Sequence, residues 1–228
     1  MIKKLLARLG IGRSAGTPAQ SGLYEPYGEQ HVNFLYNLLF CDNLDLFKND
    51  AAVESSTLWA TLLSDEPDFA GLERIAGDEQ EESRCRALAY NRLRAGGRAV
   101  PPKQLLGVIV EVPLRQGLDT LAAYPDGRAR YLNQSGKVAI FEGGPPEVET
   151  LAKELVAVSQ DLVNAIGPWD RERLPPPRSG NVRITFLVSD GLYFGEGPLQ
   201  ALQSDAMGGP VLAKATQLLQ AAVEASVK

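Results

Sequence analysis

Trp169, Asp170 and Arg171 are consecutive, placing an aromatic ring, a carboxylate and a guanidinium directly after the Gly167-Pro168 helix stop. Aromatic and arginine side chains anchor binding surfaces, because both are large and stiff and arginine adds a planar fork of donors. A second group surrounds the Asp190-Gly191 pair: Asp190, Tyr193 and Glu196, with Gly191, Gly195 and Gly197 allowing a ligand close to the backbone. Tyr131, Asn133 and Ser135 form a third group beside Gln134-Ser135-Gly136. The candidate binding set is therefore Tyr131, Asn133, Trp169, Asp170, Arg171, Asp190 and Tyr193. The competing reading is structural: Asp-Gly and Ser-Gly are turn chemistry, and a tryptophan beside a helix stop can plug a core edge.

Catalytic patterns are scarce. The chain has one histidine, His31, and no neighbouring motif orients it as a general base. The GxSxG of a serine nucleophile elbow is absent. Cys85 lies between Arg84 and Arg86, and facing cations would lower a thiol pKa. Successive helical residues point about 100° apart, however, so a packed cysteine is expected. Asp119, Glu142 and Asp190 are the carboxylates that a sheet-edge acid–base site would use. No catalytic residue is assigned.

Cofactor and metal signals are also weak. Gly10-Ile11-Gly12-Arg13-Ser14-Ala15 matches GxGxxA in letters, but a dinucleotide site needs a strand before it and a helix after it. Here a short basic segment precedes it and a Gly/Ser/Pro stretch follows. Asp42, Asn43 and Asp45 alternate like oxygen ligands but lack the central glycine and closing glutamate of a calcium loop, which leaves a capping turn. Cys41 and Cys85 are too far apart for a zinc motif. No cofactor and no metal are expected.

Charge separates the first residues from the rest. Residues 1–20 carry Lys3, Lys4, Arg8 and Arg13 and no acid, so the remainder, with all 28 acids, is net −9. Such a body repels phosphate backbones, and nucleic acid is not an expected partner. Ile2, Leu5, Leu6 and Leu9 recur at helical spacing, so residues 1–13 read as a basic amphipathic tip able to touch a membrane surface. Gly10 to Gly22 reads as a flexible linker. No apolar run reaches a membrane span, and the apolar stretch near Lys3 is short for a secretory leader, which predicts a cytoplasmic chain.

The elements that must position these residues are legible from periodicity. Residues 23–97 read as mainly helical, with helices over Glu29–Phe40, Ser56–Leu63 and one long helix over Leu72–Ala95 in which Glu82 pairs with Arg86. Leu105–Val112 is a β-branched run ended by Pro113, as in a central strand. Leu118–Tyr124, Arg128–Asn133 and Lys137–Glu142 follow across Pro125-Asp126-Gly127 and Gln134-Ser135-Gly136, forming an antiparallel meander. Pro145-Pro146 opens a long amphipathic helix. Val182–Val188 alternates as a half-buried strand, Asp190-Gly191 signals a type I′ turn, and Leu192–Phe194 returns as an edge strand. A final amphipathic helix spans Pro210–Ser226.

This pattern predicts an α+β fold: a four-stranded meander plus a hairpin, packed by two long amphipathic helices, with a helical N-terminal region. Residues 23–228 are expected to form a single domain behind the tip and linker of residues 1–22. The missing catalytic motifs and the expected edge strand favour a non-catalytic protein-binding or scaffold module of a bacterial-type cytoplasmic protein, acting on a protein partner or by self-association. The alternative is a small-molecule sensor or carboxylate-based enzyme with a pocket at the sheet edge.

Overall fold

Leu105 to Val112 offers apolar residues on both sides of a strand, which is stable only where both faces are covered and both edges paired. A computed structural model, which describes residues 23–48 and 56–227, shows that arrangement. Strand β1 (Leu105–Leu114) is flanked by β2 (Gly117–Ala123) and β5 (Asn181–Val188) in an antiparallel six-stranded sheet. β3 (Ala129–Leu132) and β4 (Val138–Phe141) continue the meander to one edge, and β6 (Gly191–Pro198) forms the other, giving the order β4-β3-β2-β1-β5-β6. The fold is α+β, as the patterning predicts. The basic tip, the linker and the Gly10–Ala15 motif lie outside the described residues.

Each face of the sheet has its own apolar core. Helices α5 (Pro146–Ala165) and α7 (Gly208–Val227) cover one face, burying Val148, Leu155, Val163, Val211 and Leu218 against Val108, Val110, Leu121 and Phe186. The opposite face is covered by α1 (Gln30–Leu38), α2 (Thr57–Leu63), α3 (Phe69–Gly77) and α4 (Ser83–Ala95). Their Leu35, Leu62, Leu72 and Leu88 share a cluster with Leu106, Ile109, Leu118 and Leu187 of the sheet. Burying each such side chain stabilises the fold by about 1.5–3 kcal/mol.

This second layer corrects the half-buried reading of 182–188. Arg183 and Thr185, the polar members of the alternation, are 5% and 1% exposed, because helices and loops cover their face too. β1 also runs past Pro113 to Leu114. A further short helix, α6 (Leu199–Ser204), precedes α7.

The single helix expected over 72–95 is two. Gly77 ends α3, and Asp78 turns the chain by accepting from the Gln80 amide at 2.9 Å. Helix α4 then starts with the Ser83 amide donating to Asp126 Oδ2 at 2.8 Å, so a turn carboxylate caps a helix 43 residues away. Glu82 pairs with Arg84 and not with Arg86, whose Nε donates to the Ala76 carbonyl at 3.0 Å. The Asp190-Gly191 turn is also not type I′: Val188 pairs with Gly191, leaving Ser189-Asp190 central, and Asp190 does not adopt positive φ.

Candidate functional site

Pro168 breaks the chain after α5, and the next residues cross the open edge of β6. The Trp169 amide donates to the Leu192 carbonyl at 2.7 Å, and the indole meets the Phe194 ring edge-on at 5.1 Å. Gly191 lets this strap lie close, since a β-carbon there would sit 3.1 Å from Pro168. The strap closes on itself where Trp169 Nε1 donates to the Glu172 carbonyl at 3.0 Å, and Tyr24 Oη fastens its end by donating to the Arg173 carbonyl at 2.7 Å.

Between this strap, the β5–β6 hairpin, α4 and the turn after α1 lies an open cleft of about 640 Å³. Its walls include Trp169, Asp170, Arg171 and Asp190 of the sequence-predicted set. Tyr193 stands behind them, donating its hydroxyl to Asp190 Oδ2 at 3.0 Å. Burial, reinforced by Asp190, pushes the Tyr193 phenol up to about 12, so it remains a donor. Asp190 Oδ1 is buried and has no hydrogen-bond partner among the described residues. Across the wall, Arg94 donates Nη1 to the Ser189 carbonyl at 2.6 Å and Nη2 to Asn91.

Arg173 forms the base of the strap and lines the same cleft, though only 7% exposed. Its guanidinium lies 3.9 Å from the Phe40 ring centroid, with Tyr24 and Tyr36 at 5.0 and 5.6 Å. Nε donates to Asp42 Oδ2 at 2.7 Å and Nη2 to Asn37 Oδ1 at 3.0 Å. Nη1 is buried and donates to nothing among the described residues. A desolvated cation over aromatic faces gains about 0.5–2 kcal/mol from the ring quadrupoles, which helps to hold it away from water.

Tyr131 and Asn133 are not part of this cleft. Tyr131 Oη donates to Asp119 Oδ2 at 2.8 Å and accepts from Asn133 Nδ2 at 2.8 Å. Asn133 Oδ1 and Asp119 Oδ1 in turn accept from the amides of Ser135 and Gln134. These contacts secure the β3–β4 turn. Tyr131 and Asp119 also border a smaller apolar recess of about 190 Å³ between the sheet, α6 and α7. The three carboxylates proposed for acid–base work are engaged separately, Asp119 by Tyr131, Glu142 by Arg130 and Asp190 by Tyr193. Cys41 and Cys85 are both buried, and burial pushes both thiols up despite the nearby Arg84.

One buried polar assembly escaped the sequence reading. Thr120, Glu111, Arg183 and Glu196 stand in register across β2, β1, β5 and β6. Tyr27 reaches Thr120 Oγ1 at 2.9 Å, and Tyr36 donates to Glu111 Oε1 at 2.7 Å. The available signal was a single charged residue inside each of two strands, Glu111 and Arg183. Arg173 gives no such signal, because Asp42 and Asn37 are 131 and 136 residues away.

No protein-family model, curated protein or solved structure matches the chain. Among the described residues no cluster of three or more His, Cys, Asp or Glu is arranged to hold a metal, and no helix is long and apolar enough to cross a membrane.

Proposed function

We propose that the protein is a small-molecule-binding module whose site is the cleft beneath the Trp169 strap. The observation that carries this reading is the cleft itself, where the strap, the β5–β6 hairpin, α4 and the turn after α1 bring Trp169, Arg171, Asp190 and Arg94 around one open volume. The cleft volume of about 640 Å³ falls within the roughly 300–1,000 Å³ common to ligand sites. Four independent segments build it, so binding can be reported to both helical and sheet elements, as a sensor requires.

Native mass spectra of the protein purified from its own host test the reading. A retained mass of a few hundred daltons, lost in the variant Asp170→Trp that fills the cleft mouth, is the expected result. A bare mass, together with no response of the Trp169 indole resonance to a fragment library, sinks it.

A second reading, self-association or pairing with a protein partner, rests on β4. Its four residues are apolar, half-buried and at the sheet edge. The strap already takes the Leu192 carbonyl on β6, which moves this reading to the opposite edge. Sedimentation of the wild type against Ile140→Lys separates the two: a mass that falls in the variant supports pairing at β4, and a monomer in both removes it.

A further inference from the structure

The two edges of the sheet are guarded differently. At β6 the strap takes the Leu192 carbonyl, and Pro198, which has no N–H, ends the strand. Among the described residues no such bridge covers β4. Its Val138, Ala139, Ile140 and Phe141 include no charge and no proline, and they pair with β3 from Leu132 to Ala129 without a bulge. A bare apolar edge of this kind is open to a further strand. The turn before β4 fixes which backbone groups face outward. The Asn133 amide donates to the Lys137 carbonyl at 2.8 Å. Hydrogen-bonded and open pairs alternate along an antiparallel ladder, so Ala139 and Phe141 bond to β3. The N–H and C=O groups of Val138 and Ile140 therefore point away from the sheet.

We infer that β4 pairs with β4 of a second copy of this chain, antiparallel, about a two-fold axis at Ala139. The inference rests on the β4 reading above and names the partner. Such an axis stands normal to the sheet and keeps each face on its own side, so residues of like parity come opposite each other. Centred on Ala139, it sets Val138 opposite the partner's Ile140 and Ile140 opposite the partner's Val138. Every outward N–H and C=O group of the strand is then paired. An axis at Val138 would leave Ile140 facing the Gly136 turn, and one at Ile140 would leave Val138 facing the bend at Glu142.

The side chains suit this register. Val138 and Ile140 pack with the core on the α1 side of the sheet, and Ala139 and Phe141 with the core on the α5 and α7 side. Val138 meets the partner's Ile140 as a β-branched pair, of the kind that stabilises ladders. Ala139 meets the partner's Ala139 at an open pair, where α-carbons approach to about 4.5 Å and a small side chain fits best. Lys137, which is exposed, comes opposite the partner's Phe141, and no like charges face each other.

Two added cysteines and amide exchange test the register. Cys41 and Cys85 are buried, so an added thiol reports alone. Ala139→Cys places two thiols at the axis, within the roughly 4.4–6.8 Å between α-carbons that a disulfide spans, and mild oxidation is expected to give a covalent dimer. Lys137→Cys sets its two copies roughly 13 Å apart along the joined strands and is expected to stay uncoupled. In the unmodified chain, raising the concentration is expected to slow exchange at the Val138 and Ile140 amides about 10-fold or more, and to leave Ala139 and Phe141 as they were. This measurement needs no substitution and decides the matter if Ala139→Cys fails to fold. Coupling through Lys137→Cys in place of Ala139→Cys, with Ile140→Lys still lowering the mass in sedimentation, overturns the register and leaves β4 as an interface. Val138 and Ile140 amides that exchange alike at every concentration overturn both.

Discussion

Glu111 and Arg183 face each other across β1 and β5, with Oε2 and Nη1 3.9 Å apart and both side chains buried, yet no hydrogen bond joins them. Arg183 spends Nε and Nη2 on Glu196 and Nη1 on the Leu174 and Pro175 carbonyls. Glu111 keeps Oε1 for Tyr36 and leaves Oε2 unpartnered among the described residues. Burial therefore dominates and raises the Glu111 pKa, with Tyr36, Arg183 and Arg173 pulling it back.

An acid whose pKa is raised on folding destabilises the native state once pH rises through the folded value. Glu111→Gln keeps the shape and still accepts from Tyr36. It is expected to be neutral or stabilising at pH 7–8, with that advantage fading as pH falls through the raised folded value and gone only below the unfolded pKa of about 4.3, where glutamate is protonated in both states. Urea unfolding across this range checks it; a loss above about 2 kcal/mol at pH 7 would mean that proximity to Arg183 outweighs burial.

Asp126 has the opposite sign. Burial raises its pKa, but the Ser83 and Arg128 amides and the Arg128 guanidinium more than offset this and hold it below the usual range. Its contribution is present above the unfolded pKa of about 3.9 and is lost as pH falls further through the folded value. Asp126→Ala removes the cap of α4 and should cost about 0.5–2 kcal/mol at pH 7. The difference between variant and wild type should shrink in acid, in contrast to a purely steric defect, which would persist.

Arg173→Ala leaves Asp42 and Asn37 without their cation and opens a gap under Phe40. A loss of about 2–4 kcal/mol in chemical denaturation is expected, at the lower end of buried-pair values because Asp42 is partly exposed. Arg173→Lys should recover little of it, since an ammonium lacks the planar stack and the fork that reaches two acceptors. Near-full recovery by lysine would reduce the role of Arg173 to its charge.

Gly107 sits at a register shift of β1, where an added β-carbon would lie 3.1 Å from both Leu187 Cδ1 and the Tyr124 ring. Tyr124 is fully buried and donates its hydroxyl to the Leu39 carbonyl at 3.1 Å, so it has little room to move. Gly107→Ala is expected to lower stability by about 1–3 kcal/mol through overpacking. An unchanged melting temperature would show that this layer yields more easily than its burial implies.

What the sequence revealed was whatever short-range pattern encodes. The β-branched run of β1, the turn residues at 125–127 and 134–136 and the Pro145-Pro146 start of α5 led to the observed elements within a few residues. The split between α3 and α4 was hidden because the order of early acids and late arginines, with the expected Glu82–Arg86 pair, fits one continuous helix, while Asp78 and the distant Asp126 set the break. Of the candidate residues, those flanking Pro168 and Gly191 converge because the strap pairs with β6. Tyr131 and Asn133 sit two strands beyond β1 on the other side, a separation that only the strand order discloses. Arg173 stayed unseen because its significance depends on rings and carboxylates far away in the chain.

The central position of β1 also has a bearing on how the chain is made. Its meander neighbour follows within a few residues, but β5 begins at Asn181, roughly 70 residues after β1 ends. At translation speeds of about 5–20 residues per second, the β5-facing edge of β1 waits some 4–14 s for its partner. During that interval a long, apolar, unpaired edge is open to any strand that meets it. The nascent chain, more than the finished protein, is therefore where this fold depends on protection from its neighbours.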